Sequence, residues 1–338
     1  MKIEIMKAFS ISYYKKNSEL QLVDVPEPIV REDEVLVEIY AASVNLLDSK
    51  IKSGEFKLIL PYKMPLVLGH DVAGVIIKVG SRVKNFKVGD EIYARASDFH
   101  IGTFAEFISV NEKDIALKPK NLTMEEAASI PLVGLTAWQA LVEKSNIQKG
   151  QKVFIQAGSG GVGTFAIQLA KYLGATVATT ASEKSFNFLK NLGADVLIDY
   201  KTQNFEDVLI DYDVVLNSQD SKTLEKSFEV VKSQGKIISI SGPPTPVFAE
   251  EFNLPWYVKF ATKLLSSKVR KRAKKQNVNY SFLFMKADGK QLTEITKRIE
   301  SGKIKPVIDK VFAFENTNDA VRYVESGRAK GKVVIKMK

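Results

Sequence analysis

Residues 153–157, VFIQA, read as a short buried strand, and Gly158-Ser159-Gly160-Gly161-Val162-Gly163 follows at once, opening a helical pattern over residues 164–173. A G-x-G-x-x-G spacing between a strand and a helix points to a parallel βαβ sheet that holds a dinucleotide. Gly158 is expected to form the tight turn. Gly160 lets the backbone approach a pyrophosphate, and Gly163 lets the helix lie close to the strand. The helix N-terminus offers unpaired N–H groups to the phosphates. All six residues of the turn are therefore candidate cofactor contacts.

The next strand, 176–180, leads into Ala181-Ser182-Glu183-Lys184, with no Asp or Glu at its tip. An acid there would grip the adenosine ribose hydroxyls of NAD. Ser182 instead donates a hydrogen bond and Lys184 brings a cation, which suits a 2′-phosphate; Glu183 is the one charge of opposite sign. The cofactor read from these residues is NADPH.

Strands and helices go on alternating: helix 184–191, strand 196–198, strand 213–217, helix 224–232 and strand 236–240. That pattern predicts a parallel sheet. Asn217 and Ser241 stand at the ends of two of its strands, where cofactors bind, and are candidates for contact. The first third differs. Residues 35–40 (VLVEIY) and 72–79 (VAGVIIKV) alternate β-branched residues between glycine and proline turns, which predicts a β-rich barrel or sandwich. Thr123 and Glu126 have the spacing of a capping box for a following helix. The tail returns to strand pattern at 307–314 and 333–335, with a helix at 318–325 between. Phe282 and Met285, in a further apolar run, are candidate pocket walls.

Composition removes several chemistries. The chain has no cysteine, so disulfides, thiolate metal sites and a cysteine nucleophile are excluded. With only His70 and His100, a three-histidine metal site is excluded too. The absence of cysteine fits a reducing cytoplasm. The N-terminal MKIEIMKAFSI alternates charged and apolar residues and lacks the apolar core of a signal peptide. A net charge of +10 draws the protein to polyanions, of which a phosphorylated cofactor is one.

Further motifs run through nearly all of the 338 residues: Val44-Asn45-Leu46-Leu47-Asp48-Ser49-Lys50, LGHDVAGVIIKVGS over 68–81, VGDEIYA over 88–94, PLVGLTAWQAL over 131–141, LGADVLIDY over 192–200, and the tail runs SGKIKPVID and GRAKGKVVI. With the glycine turn, they resemble the zinc-independent quinone oxidoreductase and enone reductase branch of the medium-chain dehydrogenase/reductase superfamily. The resemblance implies an α/β protein of two domains. A GroES-like β-rich catalytic domain would take residues 1–123 and 289–338, and a Rossmann doubly wound parallel-sheet domain residues 124–288. It implies that Tyr200 also approaches the 2′-phosphate and that Thr136 lies near the nicotinamide. Two copies would commonly pair along the edges of their Rossmann sheets, although monomers occur in the family. The first catalytic cysteine of the zinc alcohol dehydrogenases is matched here by Asn45, and their Gly-His-Glu by Gly69-His70-Asp71, so no zinc is expected.

The implied reaction carries hydride from NADPH to the β-carbon of an enone or to a quinone, leaving charge on an oxygen that donors must meet. The loop 45–50 is expected to line that site. Asn45 would donate through its amide, Lys50 would donate a proton or steady the enolate, and Asp48 would orient its neighbours. A basic run lies in residues 259–275, with Lys263, Lys268, Arg270, Lys271, Arg272, Lys274 and Lys275. It keeps open an alternative: a cofactor-bound protein that binds nucleic acid or an anionic membrane surface with little turnover. A solvated face is the favoured reading of that run.

Overall fold

The computed structural model describes residues 4–338, so the first three residues of the N-terminal alternating segment lie outside the described residues. The elements of the first part are β1 (Ile5–Ile11), β2 (Gln21–Pro26), β3 (Glu34–Val44), α1 (Leu46–Ser53), β4 (Leu66–Val67), β5 (Asp71–Val79), β6 (Glu91–Arg95), β7 (Phe107–Asn111), β8 (Ile115–Leu117), α2 (Met124–Ala128) and α3 (Pro131–Trp138). The middle contains β9 (Lys152–Ile155), α4 (Gly161–Tyr172), β10 (Thr176–Ala181), α5 (Phe186–Asn191), β11 (Val196–Asp199), β12 (Tyr212–Asn217), α6 (Ser221–Val230), β13 (Val231–Ser239), α7 (Pro246–Glu251), α8 (Trp256–Leu265), α9 (Ser267–Lys275) and β14 (Asn279–Phe282). The tail adds α10 (Gly289–Glu300), β15 (Ile308–Ala313), α11 (Thr317–Glu325) and β16 (Lys332–Lys336).

The chain divides into two compact units, Met1–Leu135 with Lys286–Lys338, and Thr136–Met285. The sequence reading put the divisions after residues 123 and 288. They fall elsewhere because α2, capped by Thr123 and Glu126 as expected, packs on β3 and β5 of the first unit.

In the first unit, a small sheet runs β2-β1-β4 and a larger one runs β15-β16-β3-β5-β6-β8, with β7 also paired to β3. The alternation read in 35–40 and 72–79 becomes a core of Val35, Val37, Ile39, Val72 and Ile76 on one face of β3 and β5. The tail strand β16 pairs antiparallel with β3, setting Val333 against Val44. That register brings the end of the chain beside the start of α1.

Residues 45–50, expected as a loop, are instead the cap and first turns of α1. The Asp48 carboxylate accepts the Asn45 backbone N–H at 2.7 Å, satisfying the helix entry. This is half of a capping box in N-x-x-D form, a variant of the usual Ser/Thr-x-x-Glu signal.

In the second unit six parallel strands lie in the order β11-β10-β9-β12-β13-β14. Counted from β9, that is 3-2-1-4-5-6, the doubly wound order whose switch point lies between β9 and β12. Phe154, Ala178, Ile198, Val215 and Ile237, one from each of five strands, are buried together with Leu224 and Phe228 of α6. The fold is the mixed α/β architecture expected, a GroES-like unit and a Rossmann unit.

Candidate functional site

In the second unit, β9 ends at Ile155 and the glycine turn delivers the chain to α4. The left-handed residue of this turn is Ala157, at φ 52°, and not Gly158. Gly158 is required for a different reason. A Cβ there would fall 2.2 Å from Thr179 Oγ1, and the Gly158 N–H donates to the Thr180 carbonyl at 3.0 Å. At Gly163 a Cβ would fall 2.4 Å from the Ala157 carbonyl oxygen, so helix and turn approach as the motif predicts.

Gly160 is the informative case. A Cβ there would meet nothing closer than 3.4 Å, and its φ of −79° suits any residue. The protein itself does not demand a glycine here. Gly160 is also the N-cap of α4, with no side chain bonded to the first-turn N–H groups and no acid in that turn. Open space beside unpaired helix N–H donors suits a pyrophosphate. Ser159, Gly161 and Val162, each half-buried, complete the turn.

The tips of β10 and β11 are adjacent. Ala181 is registered against Asp199, so Ser182 and Tyr200 are the next residues on neighbouring strands, and the Tyr200 N–H reaches the Ala181 carbonyl at 3.4 Å. Ser182 is half-buried, while Lys184 and Tyr200 are exposed. The Lys184 ammonium has no hydrogen bond or ion pair among the described residues. Asp199, the acid at these tips, accepts the Lys201 N–H at 3.0 Å.

Two other expected contacts are engaged within the protein. Asn217 is fully buried at the switch point. Its amide donates to Gln156 Oε1 at 2.7 Å and its carbonyl accepts from Ser239 Oγ at 2.6 Å. It braces β9, β12 and β13, with one of its two amide N–H groups engaged by Gln156. The Ser241 hydroxyl is exposed but donates to the Gln219 carbonyl at 2.5 Å, which closes its own loop. Thr136 is buried in α3. Phe282 packs edge-on against Phe248 at 5.1 Å and Met285 is buried, so both belong to apolar packing within their unit.

The first unit contains a buried polar cluster at the start of α1. Asp71, fully buried, accepts from Ser43 Oγ at 2.8 Å, Asn45 Nδ2 at 2.9 Å and the Leu132 N–H at 2.8 Å. The Lys332 ammonium lies 3.3 Å from the same carboxylate and donates to Asn45 Oδ1. Asp48, besides capping α1, meets His70 Nδ1 at 2.5 Å. His70 Nε2 is buried with no hydrogen-bond partner. Two carboxylates are thus matched by one ammonium and one imidazole.

This geometry revises the role expected for Asn45, while Asp48 bonds its neighbours as expected. Both are buried and bonded within the protein, so Asn45 is not free to donate to a substrate, and both are positioning residues. Lys50 stands apart from the cluster. It is half-buried on α1, and its ammonium makes no hydrogen bond or ion pair among the described residues. The neighbouring Lys52 is engaged by Glu325 at 2.8 Å and the Ser18 carbonyl at 2.9 Å. Lys332 and Asp71 were missed as members of the cluster. The available signal was a lysine opening the apolar strand KVVIK, which needs a buried counter-charge.

The donor set does not fit a zinc ion. A catalytic zinc takes three protein ligands from His, Cys and carboxylates. Here Asn45 holds the cysteine position, His70 is the one imidazole, and a resident ammonium already occupies the carboxylate of Asp71. Among the described residues no group of three or more His, Asp or Glu could hold a metal.

Residues 31–120 match the family model described as alcohol dehydrogenase GroES-like domain, and residues 192–335 match the one described as zinc-binding dehydrogenase. The chain is 39% identical to a tomato (Solanum lycopersicum) 2-methylene-furan-3-one reductase, over 98% of this chain and 79% of that protein. It is 36% identical to the chloroplastic NADPH-dependent alkenal/one oxidoreductase of Arabidopsis thaliana, over the same 98% and 79%. Among solved structures, the quinone oxidoreductase from Coxiella burnetii superimposes with a TM-score of 0.86 at 30% identity, covering 99% of this chain and 100% of that one.

Proposed function

Since the chain belongs to the medium-chain dehydrogenase/reductase superfamily, in its quinone oxidoreductase and enone reductase branch, we propose that it is an NADPH-dependent reductase of quinones and of the C=C bond of α,β-unsaturated carbonyl compounds. The observation that carries this reading is the ammonium of Lys332 bonded to Asn45 and Asp71, at a site where the alcohol dehydrogenases of the superfamily hold zinc. Without a Lewis acid, a plain carbonyl is a poor hydride acceptor. A conjugated acceptor is already activated and needs only hydrogen-bond donors for the oxygen that gains charge.

Gly158, Ser159, Gly160, Gly161, Val162 and Gly163 would hold the cofactor's pyrophosphate at the N-terminus of α4. Ser182, Lys184 and Tyr200 would hold its 2′-phosphate, and Thr136 remains a candidate neighbour of the nicotinamide. When bound, NADPH supplies the hydride. Lys50 is the residue we assign to the acceptor's oxygen, where its ammonium steadies the developing negative charge. Asp48 and Asn45 fix the start of α1 and so the placement of Lys50. An enone gains hydride at the β-carbon and a proton from solvent at the α-carbon, with the carbonyl restored, while a quinone gains one hydride and one solvent proton to give the hydroquinone. The pairing of two copies expected from the family would use β14, which lies at the end of its sheet.

The test is NADPH consumption by the purified protein against quinones, short enals and ring enones, with NADH in parallel. Turnover of one of these classes with NADPH preferred is expected. Tight NADPH binding with no turnover of any class would contradict the reading and favour the binding-protein alternative.

A further inference from the structure

The helices α8 and α9 present a surface that the reductase reading does not use. On α8 only Val258 and Thr262 are buried, four residues apart. Trp256, Tyr257, Phe260, Leu264 and Leu265 are all exposed, Trp256 to 78%. Five large apolar side chains in the open within ten residues are far from the scattered singles of an ordinary surface.

Helix α9 follows α8 after the single residue Ser266, which departs from helical geometry at φ −89° and ψ 1°. The Ser266 N–H donates to the Thr262 carbonyl at 3.1 Å, and the Arg270 N–H donates to the Ser266 carbonyl at 2.9 Å. Within α8, steps of four line up Trp256, Phe260 and Leu264, and within α9, steps of three and four line up Lys268, Lys271 and Lys275. In α9 six of nine residues are basic and none is acidic. Lys268 and Arg272 pair with Glu225 and Glu229 of α6, while Lys271, Lys274 and Lys275 are exposed without an ion pair among the described residues.

We infer that α8 and α9 dock on an anionic bilayer surface, with the apolar side chains of α8 at the headgroup level and the free lysines of α9 on lipid phosphates. An aromatic and aliphatic face joined to a cationic one is the composition of an interfacial helix. Tryptophan and tyrosine favour that depth, and each cation near an anionic leaflet adds attraction. A second copy is a poorer occupant, because its own α8 and α9 contain no acidic residue to meet these lysines. Nucleic acid would use the lysines and aromatics but leaves Leu264 and Leu265 unexplained. No helix among the described residues is long and apolar enough to cross a membrane, so the mode is surface docking.

The chain offers its own probe. Of its two tryptophans, Trp138 is 8% exposed and Trp256 is 78% exposed, so Trp256 reports contact with lipid. The full-length protein is mixed with vesicles of phosphatidylcholine alone, or of equal parts phosphatidylcholine and phosphatidylglycerol. Flotation with the anionic vesicles, a blue shift of Trp256 emission and its quenching by bromolipid are expected, with none of these on phosphatidylcholine alone. Lys271→Glu with Lys274→Glu and Lys275→Glu should weaken partitioning roughly 10- to 100-fold. Phe260→Ser with Leu264→Ser should retain weak association but lose the blue shift. No shift and no flotation with wild-type protein would overturn the inference without recourse to any variant. So would a Trp256 shift produced by single-stranded oligonucleotide and not by vesicles. A Trp256 shielded from acrylamide in a sedimenting dimer of the free protein would overturn it in favour of a second copy.

Discussion

The Lys332 ammonium donates to Asn45 Oδ1 across 287 positions of sequence, tying the final strand of the chain to the N-cap of α1. The same ammonium neutralises Asp71, so one lysine serves both the helix entry and a buried carboxylate.

Lys332→Met should therefore strand Asp71 as a buried charge and destabilise the fold by about 3 kcal/mol. Ser43, Asn45 and the Leu132 N–H still donate to Asp71, which keeps the loss toward the low end of its class. Adding Asp71→Asn should recover part of it, because the two residues are coupled. Urea denaturation of the two single variants and the double variant measures the coupling. Strict additivity would contradict it.

Gly160→Ala and Gly163→Ala should separate ligand binding from folding. At Gly160 the nearest atom to a new Cβ is 3.4 Å away, so stability should change by less than about 1 kcal/mol. NADPH affinity should still fall by roughly tenfold or more, because the methyl fills the space kept for phosphate. At Gly163 the clash at 2.4 Å should cost about 1–3 kcal/mol of stability itself. Thermal unfolding and a fluorescence titration with NADPH separate the two effects.

Lys184→Ala should weaken NADPH binding roughly tenfold and leave NADH binding unchanged, since it removes a cation with no other partner among the described residues. Equal losses for both cofactors would place Lys184 away from the 2′-phosphate.

Asp114 gives a dependence on pH. It lines a surface pocket of about 350 Å³ together with Arg31 and His100. Burial pushes its carboxyl up from 3.8 to about 6; Arg95 and Lys113 pull it down, and Asp288 and Asp98 add to the rise. The folded state therefore holds a proton that the unfolded state has already released between about pH 4 and pH 6. The contribution of this group to stability falls as pH rises through that window. Asp114→Asn should raise the melting temperature at pH 8 and have little effect at pH 4. Melting curves at the two pH values check the sign.

Local patterns made much of this protein legible. The strand-turn-helix at 153–173 and the alternation downstream specified the parallel sheet, and the Thr123–Glu126 pair specified a helix start. What was hidden depended on distance or on an unusual cap. Helix α1 read as a loop because an Asn-Asp pair caps it, and the Asn45 amide turns away to Asp71. The roles of Lys332 and Asp71 arise from β16 lying beside β3, a pairing that no local window contains. Asn217 looked like a ligand contact by its place at a strand end. Only the fold shows that it also bonds Gln156 and Ser239 across the sheet. The positive φ of Ala157 was masked by the glycine that follows it.

Hydride transfer to an activated C=C bond is tested most directly by following the atom. NADPH carrying deuterium at the transferable C4 position is incubated with the protein and a ring enone, and the product is analysed by NMR. Deuterium on the β-carbon of the saturated ketone is the predicted result. Deuterium on the carbinol carbon of an allylic alcohol would contradict the account, as would bound NADPH that leaves the enone, short enals and quinones all unchanged.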